Sequence, residues 1–531
     1  MKNILQNHKD FFIFFGLALI CYFVFFFNIG NYALMDVDET RYVSMARDMF
    51  HSKDFLTLYL NGEYFFEKPP LYFWGECLSF AIFGKINEFT ARFPAALYGT
   101  LSAFLVYFVG KKVVSRRFGF ISAVILATTL EFVILAKFAI LDIVVTTCIG
   151  FSIMFGILSQ FARRKWLCWY LFYAFSGFAV MAKGLPGFIV PFAVMFFITL
   201  ANRTFKQSLK YMPVGFLIFF LIVLPWHLIM FKIHDPLFFN EYIMKHHINR
   251  FFSSSQIDRE QPFYYYILTV LWGLVPWVFS GLAAAFSKIK MSKFMLFNII
   301  AFAVTMLFFS ASSTKLITYI LPVYFFTANI LGFIWEDYIF NDKFTKPINL
   351  TVYILGGICI FAGITACFMQ YFLPEQIYQD ILSIKWFSIT VALTFGISSI
   401  LCALKDWRKG VFACYALLII ITSAFGTKLF YNLDYKFGQD DLMQFAKYAK
   451  ENNKKIVVLN SERRYSVLYY YGKHVYYIST DDKEEMKKFG DMLDDKDVVA
   501  VVKEKKMPEV DKVLDFDIII DGRKYSLIKV K

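Results

Sequence analysis

Apolar runs of about 20 residues recur through the first 430 positions of the chain. An α-helix rises about 1.5 Å per residue, so a run of this length crosses the hydrocarbon core of a bilayer. Because backbone in lipid must satisfy its own hydrogen bonds, successive runs of this kind predict transmembrane helices. Thirteen spans are predicted, at about 11–30, 90–110, 118–136, 140–161, 166–182, 185–201, 212–231, 264–286, 294–311, 316–335, 348–371, 386–404 and 410–430.

The composition supports a membrane protein. Charged residues make up 18% of the chain and apolar residues 58%, whereas a soluble domain carries about 25% charged residues. This deficit excludes a soluble enzyme, a disordered chain and a fibre. Nearly all of the net charge of +14 belongs to the apolar part, because the tail from Tyr431 onward carries 20 basic and 19 acidic residues. A basic excess beside apolar spans indicates membrane orientation, so we expect no nucleic-acid partner.

The loops between the predicted spans fall into two sets. Seven short basic segments are in phase with thirteen spans and are therefore expected in the cytoplasm by the positive-inside rule. They lie at 2–9, 111–117, 163–165, 203–210, 288–293, 343–346 and 405–409. The connections 31–89, 232–263 and 372–385, and the C-terminal tail, are then expected on the outer, periplasmic face.

The tail has a different sequence pattern. Short β-rich runs alternate with charged helical stretches, which is typical of a small α/β domain. The β-rich runs lie at 456–459, 475–478, 498–502, 518–520 and 525–530. We therefore predict a transmembrane domain at 1–430 and a periplasmic α/β domain at 431–531. The tail sequence has no Gly-rich phosphate loop, which favours a structural or acceptor-side cap.

The first outer loop carries charged residues next to the membrane. Three carboxylates and an arginine lie within 36–41, and Asp38 and Arg41 share a face if the segment is helical. The amphipathic pattern predicts a helix in the membrane interface, and a solvated helix start is the plain alternative. Glu67 and Lys68 follow among aromatic residues, where charges are costly unless they are paired or functional. A surface Glu–Lys pair is the plain alternative there.

Further charged residues lie at the outer ends of predicted spans. They are Lys137, Asp142, Lys183 and Lys315. A single lysine at a helix end usually extends toward the interface. Several cations and carboxylates on one face instead predict a site for an anionic lipid headgroup, since Lys and Arg neutralise phosphate and a carboxylate can bind a hydroxyl or a sugar.

Two adjacent histidines, His246 and His247, lie in the second long outer loop. Together with a carboxylate such as Glu67 they could bind a divalent metal, zinc or another. Neighbouring residues point apart on a helix, which favours structural or hydrogen-bonding roles for both histidines.

Motifs spread over residues 30 to 325 resemble those of the polyprenyl-phosphate-dependent glycosyltransferases of the GT-C class. The resemblance is to the bacterial branch that contains the lipid A 4-amino-4-deoxy-L-arabinose transferases and is related to the protein O-mannosyltransferases. The motifs are Asp38-Glu39-Thr40-Arg41-Tyr42, Asn61-Gly62, Glu67-Lys68-Pro69-Pro70-Leu71, Leu141-Asp142, Ala182-Lys183-Gly184, His246-His247 with Arg250-Phe251, Pro276-Trp277, and Lys315-Leu316 with Tyr319-Ile320-Leu321-Pro322.

The resemblance implies a polytopic α-helical fold of about thirteen transmembrane helices, with interfacial helices in the first outer loop and a small periplasmic domain. It also implies a sugar donor linked to undecaprenyl phosphate as the lipid carrier. We therefore expect a glycosyltransferase of the bacterial inner membrane that works at the periplasmic face, as a monomer among membrane lipids.

The resemblance also implies roles for individual residues. The catalytic carboxylates would be Asp38, as the main one, with Asp142 and Glu39. The residues that hold the donor and its phosphate would be Arg41, Lys68, Tyr319, Lys183 and Lys315. A metal-bearing region would correspond to Glu67 with His246 or His247.

In the reaction expected from this resemblance, the acceptor attacks the anomeric carbon and polyprenyl phosphate leaves. Cations stabilise the charge that develops on the leaving phosphate. A hydroxyl acceptor needs a base, for which Asp38 is the candidate, whereas a lipid A phosphate is already anionic and Asp38 would then orient it.

Alternatives remain for both acceptor and class. Lipid A or another cell-envelope glycolipid is the expected acceptor, and a protein hydroxyl is the alternative within the same class. A transporter or flippase for an anionic polyprenyl lipid would favour charges at mid-bilayer and repeated halves. A non-catalytic scaffold for polymer assembly is a further alternative.

Overall fold

The computed structural model describes residues 2–249, 261–285, 287, 291–373, 375–426, 439–459, 464–479, 481–493, 497–512 and 514–531. The chain forms two compact units. The helical unit comprises Met1–Asn28, Phe66–Tyr72 and Phe93–Gly426, and the mixed unit comprises Ile29–Phe65, Phe73–Arg92 and Thr427–Lys531. The first outer loop of the sequence and the C-terminal tail thus belong largely to one unit.

Helices dominate the first 426 residues. They are α1 Lys2–Cys21, α2 Asp38–Ser52, α3 Leu71–Phe83, α4 Glu88–Val113, α5 Arg116–Ala127, α6 Leu130–Ala136, α7 Leu141–Ser159, α8 Lys165–Lys183, α9 Pro186–Ala201, α10 Phe205–Ser208, α11 Met212–His234, α12 Tyr265–Gly273, α13 Val278–Ala285, α14 Lys293–Ala311, α15 Val323–Phe340, α16 Thr345–Cys367, α17 Glu375–Leu404 and α18 Arg408–Phe425. Single π-helical segments lie at Tyr22–Phe26 and Phe239–Asn249, and short 3₁₀ segments at Leu209–Tyr211, Ile317–Ile320 and Met369–Tyr371.

Each of the thirteen predicted apolar runs contains a helix or a bent pair of helices. Among the described residues, seven helices are long and apolar enough to cross a membrane, and nine spans result if each bent pair is one span. The pairs are α5 with α6, bent by 65°, and α12 with α13, bent by 114°. The remaining predicted runs form helices that are shorter or less apolar. The prediction of a polytopic helical membrane protein is confirmed.

One buried contact joins the two bent helix pairs to the first turn of α15. Glu131 lies at the start of α6, Gly273 ends α12, and Tyr324 lies in the first turn of α15. The Tyr324 hydroxyl donates a hydrogen bond to the Glu131 carboxylate, and both side chains are buried. A Cβ at Gly273 would overlap the Tyr324 hydroxyl and the Glu131 carboxylate. Only glycine therefore lets these three backbones meet around the buried pair.

We predict that Gly273→Ala lowers the stability of the helical unit. Overpacking of this kind costs about 1–3 kcal/mol, because Tyr324 or Glu131 must move. Gly357→Ala is the matched control, since a Cβ there meets no atom within 4 Å and alanine is the better helix former. Thermal unfolding in detergent should show a lower midpoint for Gly273→Ala alone. Equal midpoints for the two variants would show that the helices do not meet closely at Gly273.

The C-terminal part of the mixed unit contains a five-stranded sheet. Its strands are β3 Lys455–Leu459, β4 Tyr476–Ile478, β5 Val498–Lys503, β6 Phe516–Asp521 and β7 Tyr525–Val530, in the order β4-β3-β5-β7-β6. The pairs β3–β4 and β3–β5 are parallel, and β5–β7 and β6–β7 are antiparallel. All five strands coincide with the predicted β-rich runs, and the small C-terminal α/β domain is confirmed.

Short helices accompany the sheet, and a small hairpin precedes it in the chain. The helices are α19 Gln439–Glu451, α20 Tyr465–Tyr471, α21 Lys483–Leu493 and α22 Met507–Val510, with a 3₁₀ turn at Glu504–Lys506. The hairpin lies in the first loop and pairs β1 Tyr59–Leu60 with β2 Glu63–Tyr64 around the predicted Asn-Gly turn. Apolar residues from α19 and α20 share one buried cluster with the sheet.

Candidate active site

The first turn of α2 is fixed by a buried arginine in the mixed unit. Arg92 is 0% exposed, and its guanidinium binds both oxygens of Glu39 at 2.8 Å. It also donates to the carbonyl oxygens of Ile29, Tyr32 and Ala33, each at 2.8 Å. All five N–H donors of the guanidinium are thereby satisfied. The buried charge is compensated, and the loop before α2 is held along its length.

Both carboxylate oxygens of Glu39 help to fix the first turn of α2. One of its oxygens also accepts a hydrogen bond from the backbone N–H of Met35, at 2.8 Å. The Arg92 guanidinium lies over the ring of Tyr32, 3.7 Å from the ring centre. Burial raises the pKa of Tyr32 to about 12, although the nearby Arg92 charge opposes this increase. Glu39 is only 2% exposed, which favours a supporting role over the catalytic one that the motif implies.

Asp38 and Arg41, in contrast, face outward from the same turn. The Arg41 guanidinium lies 2.8 Å from an Asp38 carboxylate oxygen, the contact expected for residues three apart on a helix. The Asp38 side chain is 58% exposed and the Arg41 side chain 19%. The rings of Tyr42 and Phe65 lie within 4.9 and 5.9 Å of the Arg41 guanidinium carbon. The turn thus presents one carboxylate with an adjacent, partly shielded cation.

Asp36 lies two residues before Asp38, and its carboxylate is hydrogen-bonded within the protein. Its carboxylate accepts hydrogen bonds from Thr40 Oγ1 at 2.5 Å, Ser466 N at 2.8 Å and Ser466 Oγ at 2.5 Å. Gln439 Nε2 donates to it at 3.3 Å. Ser466 lies in the first turn of α20, where backbone N–H groups lack partners within the helix. Asp36 therefore caps a helix of the C-terminal domain.

A second group of predicted residues meets in the helical unit. Lys183, in the last turn of α8, forms an ion pair with Asp142, in the first turn of α7. The Lys183 ammonium also lies 4.1 Å from the centre of the Tyr319 ring. A carboxylate at a helix start and a cation at a helix end are each favoured by the helix dipole. Three residues from separate parts of the sequence thus form one compact polar group.

The other predicted cations contact backbone oxygens. Lys315 donates to the carbonyl oxygens of Gln261 at 3.0 Å and Ser312 at 2.7 Å, and it is 7% exposed. Lys68 donates to the Glu67 carbonyl oxygen at 3.1 Å and lies 3.7 Å from the Glu67 carboxylate. Lys68 is 8% exposed, so this pair is not an ordinary surface contact.

The predicted metal centre has no counterpart among the described residues. In that part of the chain, no group of three or more His, Cys, Asp and Glu side chains could hold a metal ion. Glu67 lies beside the Lys68 ammonium, which competes for its charge. The side chains of His246 and His247, and residues 250 and 251, lie outside the described part.

Sequence reasoning did not single out Arg92 or Ser466. Arg92 lies at the start of a predicted span, and a charge there is costly unless it is paired, so it could have been noticed. Ser466 carries no such signal, since its partner Asp36 is 430 positions away.

Comparisons with known proteins agree with the motifs. Residues 11–239 match the family model of dolichyl-phosphate-mannose-protein mannosyltransferases. The undecaprenyl phosphate-alpha-4-amino-4-deoxy-L-arabinose arabinosyl transferase 2 of Proteus mirabilis (strain HI4320) is 28% identical over 405 residues, or 75% of this chain and 72% of that protein. The corresponding transferase of Photorhabdus laumondii is 26% identical over 419 residues, or 76% of this chain and 74% of that protein.

A solved structure shares the fold. The crystal structure of ArnT from Cupriavidus metallidurans bound to undecaprenyl phosphate has a TM-score of 0.81 to this chain. The alignment covers 98% of both chains at 20% identity, which establishes a common fold.

Fold, motifs and relatives together define the class: the chain is a multi-pass membrane glycosyltransferase of the GT-C class. The class predicted from the motifs is confirmed. Within it, the chain is a relative of the polyprenyl-phosphate-dependent 4-amino-4-deoxy-L-arabinose transferases.

We predict that Arg92→Met strongly destabilises the protein. Removing one partner of a buried ion pair leaves the other charge uncompensated and costs about 3–5 kcal/mol. Arg163→Met is the matched control, because Arg163 is exposed in a loop. The thermal midpoint and the yield of folded protein should fall for Arg92→Met and stay near wild type for Arg163→Met. Equal midpoints for both variants would contradict the role assigned to Arg92.

Proposed function

We propose that this glycosyltransferase transfers a sugar from an undecaprenyl-phosphate-linked donor to lipid A. The names of the two arabinosyl transferases support this donor and suggest 4-amino-4-deoxy-L-arabinose as the sugar. The observation that carries the proposal is the pairing of motif carboxylates with motif cations, Asp38 with Arg41 and Asp142 with Lys183. Such pairs provide a group for the acceptor and a positive charge for a phosphate.

In the proposed reaction, an acceptor oxygen attacks the anomeric carbon of the donor sugar. The bond between that carbon and the phosphate oxygen breaks, and undecaprenyl phosphate leaves with its bonding electron pair. Asp38 accepts the proton of a hydroxyl acceptor, or orients a phosphate acceptor that carries no such proton. Its 58% exposure supports this role, since the carboxylate is accessible to a substrate.

The cations would stabilise the leaving phosphate. Arg41 offers a planar pair of donors to phosphate oxygens, and Lys183 and Lys68 offer point charges. Lys183 supports this role best, because the Asp142 carboxylate and the face of the Tyr319 ring hold its ammonium in place. Charge on the phosphate grows as the sugar bond breaks, so these contacts strengthen in the transition state.

We further propose an orientation and a division of the chain. The amino terminus would lie in the cytoplasm, and both the active site and the tail would lie in the periplasm. Seven basic loops in phase with thirteen predicted spans support this topology. The transmembrane domain would comprise residues 1–430 and the periplasmic domain 431–531. A divalent metal at Glu67 with His246 or His247 stays a prediction.

Purified protein reconstituted in lipid tests the proposal. Undecaprenyl-phosphate-linked 4-amino-4-deoxy-L-arabinose and lipid A are supplied, and mass spectrometry follows free undecaprenyl phosphate and modified lipid A. We expect both products in equal amounts. Transfer to added protein acceptors and none to lipid A would support the protein O-glycosyltransferase. Movement of the donor across the bilayer without product release would contradict transfer and support a flippase.

We predict that Lys183→Met impairs transfer. Loss of a charge-assisted contact costs about 1.5–3 kcal/mol, so kcat/KM for the donor should fall by about 10- to 100-fold. Lys165→Met, at the exposed opposite end of the same helix, should leave kcat/KM within about twofold. Both values are normalised to folded protein. Unchanged kcat/KM for Lys183→Met would remove this lysine from the phosphate site and leave Arg41 and Lys68.

A further inference from the structure

Helix α20 of the C-terminal domain is held at both ends by the segment that carries Asp38. Asp36 binds the first turn of α20 through Ser466, as described above. At the other end, the Arg47 guanidinium donates to the carbonyl oxygens of Leu468 at 3.3 Å and Tyr469 at 2.7 Å. The anion thus binds a backbone N–H at the start of the helix, and the cation binds carbonyl oxygens at its end.

Two more contacts join the C-terminal domain to the first loop. The Tyr470 hydroxyl accepts a hydrogen bond from Leu34 N at 3.2 Å and donates one to Glu88 at 3.0 Å. The side chain of Asn61 binds both the N–H and the carbonyl oxygen of Val475, at 2.9 and 2.7 Å. The first loop is therefore tied to the domain before α2, along α2 and after it.

The carboxylate of Asp36 joins these two parts most directly. Thr40, which is 0% exposed, connects it to the first turn of α2, and Ser466 and Gln439 connect it to the C-terminal domain. Four donors converge on two oxygens, so the carboxylate has little freedom to move. A shift of Ser466 would move Asp36, and Asp36 leads into the turn that carries Asp38.

Three residues next to this pair are bonded within the protein. Asp36, Glu39 and Thr40 are bonded to the protein, while Asp38 and Arg41 form the outward pair. A reactive group is most effective when rotamers and contacts around it are fixed by its supporting residues.

We propose that helix α20 is a positioning element for sugar transfer, and that Ser466 is a positioning residue that acts on Asp38 through Asp36. This gives the C-terminal domain a direct part in the reaction. The inference rests on the proposed catalytic role of Asp38.

Steady-state kinetics of Ser466→Ala test the proposal. The substitution removes the hydroxyl that binds Asp36 and keeps the backbone N–H. A displacement of about 1 Å at a reacting group can lower the rate about 100-fold. We expect kcat to fall by about 10- to 100-fold, with KM for the donor within about threefold. Ser466→Thr keeps a hydroxyl at this position and should restore most of kcat.

Asp441→Asn is the matched control within the same domain. The Asp441 carboxylate accepts hydrogen bonds from the backbone N–H groups of Arg523 at 3.2 Å, Lys524 at 2.8 Å and Tyr525 at 3.2 Å. Like Ser466→Ala, its substitution weakens buried hydrogen bonds near a helix start, but the partners of Asp441 belong to the domain itself. The thermal midpoint should fall for Asp441→Asn while kcat stays near wild type.

The outcomes separate the two proposals. Wild-type kcat for Ser466→Ala would overturn the positioning role. The role would also be overturned if Asp441→Asn and Ser466→Ala had the same thermal midpoint and lost the same fraction of kcat. If Ser466→Ala does not fold, Gln439→Leu is measured instead, because it removes the 3.3 Å contact between Gln439 and Asp36. Its kcat should fall about threefold. Wild-type kcat for Gln439→Leu would equally overturn the positioning role. Full activity of Asp38→Asn would instead overturn the proposed function, whatever the result at Ser466.

Discussion

A buried guanidinium can be accommodated only when every one of its donors has a partner, and Arg92 imposes this constraint on the mixed unit. Its five donors take three backbone carbonyls and both oxygens of Glu39. A change in any of these partners would leave a charge or a carbonyl group buried without compensation. The loop before α2 and the first turn of α2 therefore have one arrangement that satisfies Arg92, and the placement of the neighbouring residues follows from it.

Asp38 and Arg41 depend on that arrangement. Two neighbouring residues are bonded within the protein, Glu39 to Arg92 and Asp36 to Ser466 of α20. The first loop and the C-terminal domain are therefore parts of one structure, although Asp36 and Ser466 are 430 positions apart in the chain. In the proposed mechanism, this arrangement holds the Asp38 carboxylate and the Arg41 guanidinium in position before the substrates bind.

The sequence predicted the helices, the strands and the shared helix face of Asp38 and Arg41, because apolar runs, β-rich runs and i,i+3 spacing are local signals. The motif resemblance supplied Asp142, Lys183 and Tyr319 as site residues, but not the contact that joins them. It also gave Glu39 as a catalytic candidate, since a motif does not reveal which carboxylate is buried. The amphipathic pattern of α2 predicted an interfacial helix, which stays a prediction, and its apolar residues Val43, Met45 and Met49 are buried within the protein.

Single-turnover kinetics of Asp38→Asn test the central claim most directly. Protein loaded with the undecaprenyl-phosphate-linked sugar is mixed rapidly with lipid A, and the first turnover is followed by the release of undecaprenyl phosphate. Because the substitution keeps the size of the side chain and removes its charge and basicity, the donor should still bind. The first-turnover rate should fall about 100-fold when Asp38 only orients the acceptor phosphate, and by up to about 10⁴-fold when it accepts a proton from a hydroxyl. A first turnover at the wild-type rate would contradict the account, because Asp38 would then have no part in the chemical step.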